Sequence, residues 1–159
     1  MEYRTLGNTG LDVSVLSFGA ASLGSVYRDI DESEGLRTVE RALDLGINLI
    51  DVSPYYGLTK AELVLGRALS GIQRDRYVLA TKAGRYGLDI ESFDFSATRI
   101  RASLEESLAR LGVESLDLFQ LHDIEFASME TIIEESIPTM QALKKEGKIR
   151  FWGVTGLPL

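Results

Sequence analysis

Cysteine is absent from the 159 residues, histidine occurs once and proline three times. Without cysteine there is no disulfide framework and no thiolate nucleophile. One histidine without cysteine also leaves too few ligands for a zinc site. No apolar run is long enough to cross a bilayer, so no membrane partner is expected. The opening Met1-Glu2-Tyr3-Arg4 lacks the basic-then-apolar pattern of a secretory leader, and a reducing, cytoplasmic setting is the expected one. Basic residues are outnumbered, 17 against 24 acidic, for a net charge of -7. The one basic run, Lys144-Lys145, is diluted by Glu146. A nucleic-acid surface needs clustered cations to meet phosphates, so no such partner is expected.

What is present is a chain 45% apolar, enough for one compact core spanning 1–159 without a linker of biased composition. Residues 1–15 open it: Tyr3 to Leu6 and Asp12 to Val15 flank the turn-rich Gly7-Asn8-Thr9-Gly10, which predicts a small hairpin. An apolar run at Val13 to Phe18 begins a first strand. Helical and strand patterns then alternate. Asp31 with Glu34 marks a helix start, Leu36, Val39 and Leu43 its buried face, and Gly46 its stop. Ile47 to Ile50 is the second strand. Thr59 and Glu62 have capping-box spacing ahead of Leu63, Leu65 and Leu69. Tyr77 to Thr81 is the third strand, Ile100, Leu104, Leu108 and Leu111 a helical stripe closed by Gly112, and Leu116 to Leu121 the fourth strand. Met140 and Leu143 lie on a last helix ended by Gly147, with Pro138 in its first turn or kinking it. Ile149 to Val154 is the fifth strand. Such alternation predicts an α/β fold with a parallel sheet and crossover helices.

Active sites in parallel α/β folds form at the carboxyl ends of the strands. The second strand ends in Asp51, the third in Lys82 and the fourth in His122, so titratable groups close three successive strands on one rim. Each alone is ordinarily structural: a strand-end Asp is commonly a cap, a Lys is solvated, a lone His is a satisfied packing residue. Just beyond Asp51, Pro54 and Gly57 shape a turn holding Tyr55 and Tyr56. Tyr55 reads as a packing residue. Tyr56 lies far enough from the strand to fold back over the rim. An unperturbed phenol titrates near about 10, so it needs help to move protons at neutral pH. An adjacent Lys82 ammonium would favour the phenolate, Asp51 would hold that ammonium, and His122 would orient a substrate oxygen. That constellation suits hydride transfer, with Tyr56 giving or taking the proton at the reacting oxygen.

Asp51-Val-Ser-Pro-Tyr-Tyr56-Gly57, Leu79-Ala-Thr-Lys82 and Leu118-Phe-Gln-Leu-His122 resemble, in order, the three catalytic motifs of the aldo-keto reductases. Tyr3-Arg-Thr-Leu-Gly-Asn-Thr-Gly10 resembles the family's hairpin, which covers the barrel floor. Lys145-Glu-Gly-Lys-Ile-Arg150 before Gly153-Val-Thr155 resembles its approach to strand five. The resemblance implies the amino-terminal part of a (β/α)8 TIM barrel, about five of eight strands, because a full barrel needs roughly 250 residues. It also implies NAD or NADP at the mouth, with Gly19, Ala20, Ala21, Asp51 and Thr155 near the nicotinamide end. Gly84-Arg-Tyr-Gly87, Phe93-Asp-Phe-Ser96, His122-Asp-Ile-Glu-Phe126 and Gly153-Val-Thr-Gly-Leu-Pro-Leu159 look most like the L-galactose and aldose dehydrogenase branch. That branch implies NAD-linked oxidation of an aldose at its anomeric carbon to a lactone.

Two departures stand out. Where many members carry Ser-Asn after strand five, Thr155-Gly156 stands, so Thr155 keeps a hydroxyl and Gly156 offers no side chain. The carboxyl-terminal half that supplies most cofactor contacts in the family has no counterpart, and Gly19-Ala-Ala-Ser-Leu-Gly24 is not a G-x-G-x-x-G turn. A non-catalytic half-barrel is therefore one alternative, with open sheet edges that predict self-association of the isolated chain. A doubly wound, flavodoxin-like domain with a small ligand at its switch point is the other.

Overall fold

The computed structural model describes residues 1–156. Strands β1 (Tyr3–Thr5) and β2 (Asp12–Ser14) pair antiparallel, Tyr3 opposite Ser14 and Thr5 opposite Asp12. The predicted hairpin is present. Five parallel strands follow: β3 (Phe18–Gly19), β4 (Leu49–Asp51), β5 (Val78–Ala83), β6 (Leu116–Leu121) and β7 (Ile149–Val154). Their order in the sheet is β3-β4-β5-β6-β7, each strand beside its predecessor. A doubly wound sheet reverses direction at a switch point, whereas a (β/α)8 barrel winds one way only. The flavodoxin-like alternative is therefore overturned. The first barrel strand is shorter than the Val13 to Phe18 run suggested, because Val13 belongs to the hairpin and Leu16 is exposed.

Helices cover the outer face. Helix α1 (Glu32–Asp44) starts at Asp31, whose carboxylate accepts from the Ser33 N–H. Helix α3 (Ala97–Leu111) buries the whole predicted stripe and is capped by Ser96 at one end and by left-handed Gly112 at the other. Helix α2 (Lys60–Leu69) departs from expectation. Thr59 has φ +78 and makes no capping bond, because a capping side chain needs an extended backbone to aim at the first turn. Glu62 is instead fully buried. It accepts from Thr81 Oγ1 at 2.6 Å and from Arg110 Nε at 2.6 Å. Leu65 and Leu69 are buried as expected, while Leu63 faces solvent.

The last helical segment runs through α4 (Met129–Thr131), a π-helical turn (Ile132–Ser136) and α5 (Ile137–Lys145), with Pro138 in the first turn of α5. The wider turn lies immediately before the proline, which lacks an N–H and whose ring crowds the carbonyl four residues back.

Strand β5 is buried at every position, outside by helices and inside by its neighbours. A separate apolar cluster joins Leu11 and Val13 of the hairpin region to Val78, with Leu6, Leu49, Leu118 and Phe151 packed against it. These residues lie toward the amino-terminal ends of β4 to β7. The hairpin thus closes that end of the sheet and leaves the opposite rim open. No helix among the described residues is long and apolar enough to cross a membrane.

Candidate active site

Asp51 is the last residue of β4, Lys82 lies near the end of β5, and His122 directly follows β6, where its N–H donates to Ala83 O at 2.8 Å. Parallel registry of β4, β5 and β6 therefore brings all three to the open rim. The Lys82 ammonium is almost fully buried and has three hydrogens to place. It donates to Asp51 Oδ2 at 2.6 Å, to Val52 O at 3.0 Å and to Tyr56 Oη at 3.3 Å. A buried charge is tolerated when paired and hydrogen-bonded, and here every hydrogen has an acceptor.

Tyr56 reaches the lysine because its turn is held by backbone packing. The segment Ala20–Gly24, a 3-10 turn after β3, lies against Tyr56-Gly57. A Cβ on Gly24 would stand 2.6 Å from Tyr56 O, and one on Gly57 (φ +62) would strike the Gly24 carbonyl. Two glycines facing one another are what let the turns touch.

His122 sits at a right angle to the Tyr56 ring, centroids 5.9 Å apart. Burial pushes its imidazole down to about 4, with the Lys82 charge adding to the effect and Asp123 opposing it. It is therefore neutral at neutral pH and acts through hydrogen bonds. Its Nδ1 lies 3.1 Å from Ser53 Oγ.

The residues expected at the nicotinamide differ in exposure. Gly19 is exposed at the rim, opposite Asp51 in the sheet, with nothing within 4 Å of where a Cβ would project. Ala20 has no exposed surface and belongs to the core beneath the turn. Ala21 is half-buried. Thr155 Oγ1 accepts from the Asp123 N–H at 3.1 Å, which leaves its own hydrogen to donate. At Gly156 a Cβ would meet Glu125 Oε2 at 2.7 Å, so an asparagine there would have to move that carboxylate. Leu157, Pro158 and Leu159, part of the motif after strand five, lie outside the described residues.

Sequence reasoning missed the group that walls the rim beside His122. The Arg85 guanidinium stacks on the Tyr55 ring at 3.7 Å and pairs with Asp123 Oδ2 at 2.7 Å. Tyr55 is thus a packing residue as expected, with a cation as its partner. The available signal was position: Arg85 and Asp123 each fall just beyond a strand, and Asp123 takes a left-handed φ of +58. Ser53 carried no signal of its own. Among the described residues no cluster of His, Asp or Glu could hold a metal.

Comparison with known proteins agrees with this fold. The aldo/keto reductase family model matches residues 15–159. L-galactose dehydrogenase of Arabidopsis thaliana is 52% identical over all of this chain and 50% of its own length. D-arabinose 1-dehydrogenase of Saccharomyces cerevisiae is 40% identical over 92% of the chain and 44% of its own length. An aldo-keto reductase of Bacillus halodurans, solved in its holo form, superposes with a TM-score of 0.85 at 36% identity, over 99% of this chain and 51% of that one. The chain spans about half the length of these relatives.

Proposed function

Because the chain belongs to the aldo/keto reductase family, a family of oxidoreductase enzymes whose barrel its five strands begin, we propose that its rim is the proton-transfer centre of a nicotinamide-dependent oxidoreductase. The substrate is a sugar or another small carbonyl or alcohol compound, with oxidation of an aldose such as L-galactose to its lactone as the reaction. Asp51, Tyr56, Lys82 and His122 are the working residues. The supporting observation is one ammonium, Lys82, held between the Asp51 carboxylate and the Tyr56 phenol.

The residues at the rim fit a nicotinamide nucleotide. Gly19 presents bare backbone beside Asp51 with open space before it, and Thr155 has a hydroxyl hydrogen to give. Gly19, Ala21, Asp51 and Thr155 would hold the nicotinamide end, and NAD is the form proposed. When bound, that group takes up or releases hydride. The protein handles the proton. In oxidation Tyr56 Oη accepts the proton of the substrate hydroxyl, and in reduction it returns one to the carbonyl oxygen. Negative charge arising on the phenol oxygen faces the Lys82 ammonium at 3.3 Å, and Asp51 keeps that ammonium in place. Neutral His122, beside Tyr56, orients the substrate oxygen.

Fluorescence titration with NADH and NADPH, followed by assay of aldoses with NAD, tests the proposal. Turnover should fall about 10²- to 10⁴-fold in Tyr56→Phe. A normal rate in that variant would sink the assignment of Tyr56. The alternative reading is a non-catalytic half-barrel scaffold. Absence of nucleotide binding by the folded chain would select it.

A further inference from the structure

Ser53 lies two residues past Asp51 and has no exposed surface. Its hydroxyl oxygen has two neighbours in hydrogen-bond range among the described residues, the Tyr55 N–H at 3.2 Å and His122 Nδ1 at 3.1 Å. A serine hydroxyl has two lone pairs and one hydrogen. The Tyr55 amide can only donate, so it takes a lone pair. The Ser53 hydrogen then has one place to go, because a buried donor left unmade costs about 1–3 kcal/mol. Nδ1 of a neutral imidazole accepts that hydrogen only if the ring proton is on Nε2.

We infer that Ser53 is a positioning residue that fixes the tautomer of His122, holding Nδ1 as an acceptor so that Nε2 presents its hydrogen toward the rim. The other side of the ring is consistent with this. Nε2 has no hydrogen-bond partner among the described residues, and its nearest carboxylate oxygen, Asp123 Oδ2, is 3.8 Å away, beyond bonding distance. The Nε2–H is thus left for a ligand oxygen at the rim. The opposite tautomer would put Nδ1–H against Ser53, leave the serine hydrogen unpaired, and point a lone pair at the substrate oxygen. Two lone pairs would then face one another where a donor is needed. The charged neighbours donate elsewhere, Arg85 Nη1 to Asp123 and Lys82 to Asp51, Val52 and Tyr56.

The functional meaning rests on the assignment of His122 as the residue that orients the substrate oxygen. The tautomer itself can be read without turnover. His122 is the one histidine of the chain, so histidine-selective nitrogen-15 labelling gives one imidazole spectrum with no assignment problem. At neutral pH the wild-type chain should show a protonated Nε2 and an unprotonated, hydrogen-bonded Nδ1. In Ser53→Ala the Nδ1 resonance should move toward that of an unbonded imine nitrogen, and the fraction protonated at Nδ1 should rise. Ser53→Thr, which keeps the hydroxyl, should restore the wild-type pattern. A protonated Nδ1 in the wild type would overturn the inference, as would an Nδ1 resonance unmoved by Ser53→Ala. If Ser53→Ala does not fold, the wild-type spectrum decides alone. An inactive chain with the expected spectrum would count against the catalytic reading and leave the role of Ser53 standing.

Discussion

Replacing Glu62 by alanine tests how the rim is supported from behind. Glu62 on α2 is fully buried and joins Arg110 of α3 to Thr81, the residue preceding Lys82. Removing one member of a buried ion pair costs about 3–5 kcal/mol, because the other charge is left without compensation. The lower end applies here, since Arg110 retains Ser107 Oγ at 3.2 Å and Glu106 at 3.7 Å. The Thr81 hydroxyl loses its acceptor inside the core, which adds about 1 kcal/mol. Glu62→Ala should therefore destabilise the chain by about 4 kcal/mol. Glu62→Gln, which still accepts from Thr81, should cost about half as much. Replacing both Glu62 and Arg110 by methionine should recover most of the loss, because no charge is then stranded. Urea unfolding followed by Trp152 fluorescence at low protein concentration measures all three. A loss under about 1 kcal/mol for Glu62→Ala, with an unchanged slope against urea, would refute the view that this buried triad braces β5.

Three further outcomes are expected. Gly57→Ala puts a methyl against the Gly24 carbonyl at φ +62, so Tyr56 should be displaced from Lys82, with turnover and urea midpoint both falling; a wild-type rate would show that the turn yields without moving Tyr56. His122 titrates near about 4 when folded and near 6.5 as a free imidazole. The unfolded chain therefore binds more protons between those values, and stability should fall as pH drops through that window, by at most about 3 kcal/mol. In His122→Gln that part of the slope should vanish, which a pH series of urea midpoints would detect. Finally, among the described residues β3 and β7 each pair along one side only, and unpaired strand edges invite association. Sedimentation of the isolated chain should shift with concentration, and a sharp monomer at all concentrations would count against this.

The catalytic candidates were legible because each closes a strand, and strand ends show in a sequence as the point where an apolar run meets a polar residue. Asp51, Lys82 and His122 needed no knowledge of side-chain direction, only that parallel strands present the same end to one rim. Tyr56 was legible from the Pro54 and Gly57 turn. Ser53, Arg85 and Asp123 were not, since their roles depend on which atoms they meet across elements: Ser53 on His122, Arg85 on Tyr55 and Asp123. Glu62 was misassigned for the same reason. Its spacing from Thr59 is that of a cap, and local spacing carries no trace of Thr81 or Arg110.

By itself the sequence determined the alternation of strands and helices, the apolar stripe of α3, the hairpin, and the rim on which Asp51, Tyr56, Lys82 and His122 meet, because these follow from periodicity and turn chemistry that act over a few residues. The tertiary structure alone decided the winding of the sheet, the contact of Gly24 with Gly57 that seats Tyr56, the burial of Ala20 and Glu62, and the serine beneath His122. Those depend on which surfaces approach within hydrogen-bond distance once the helices are docked, and residues tens of positions apart have no local signal of that approach.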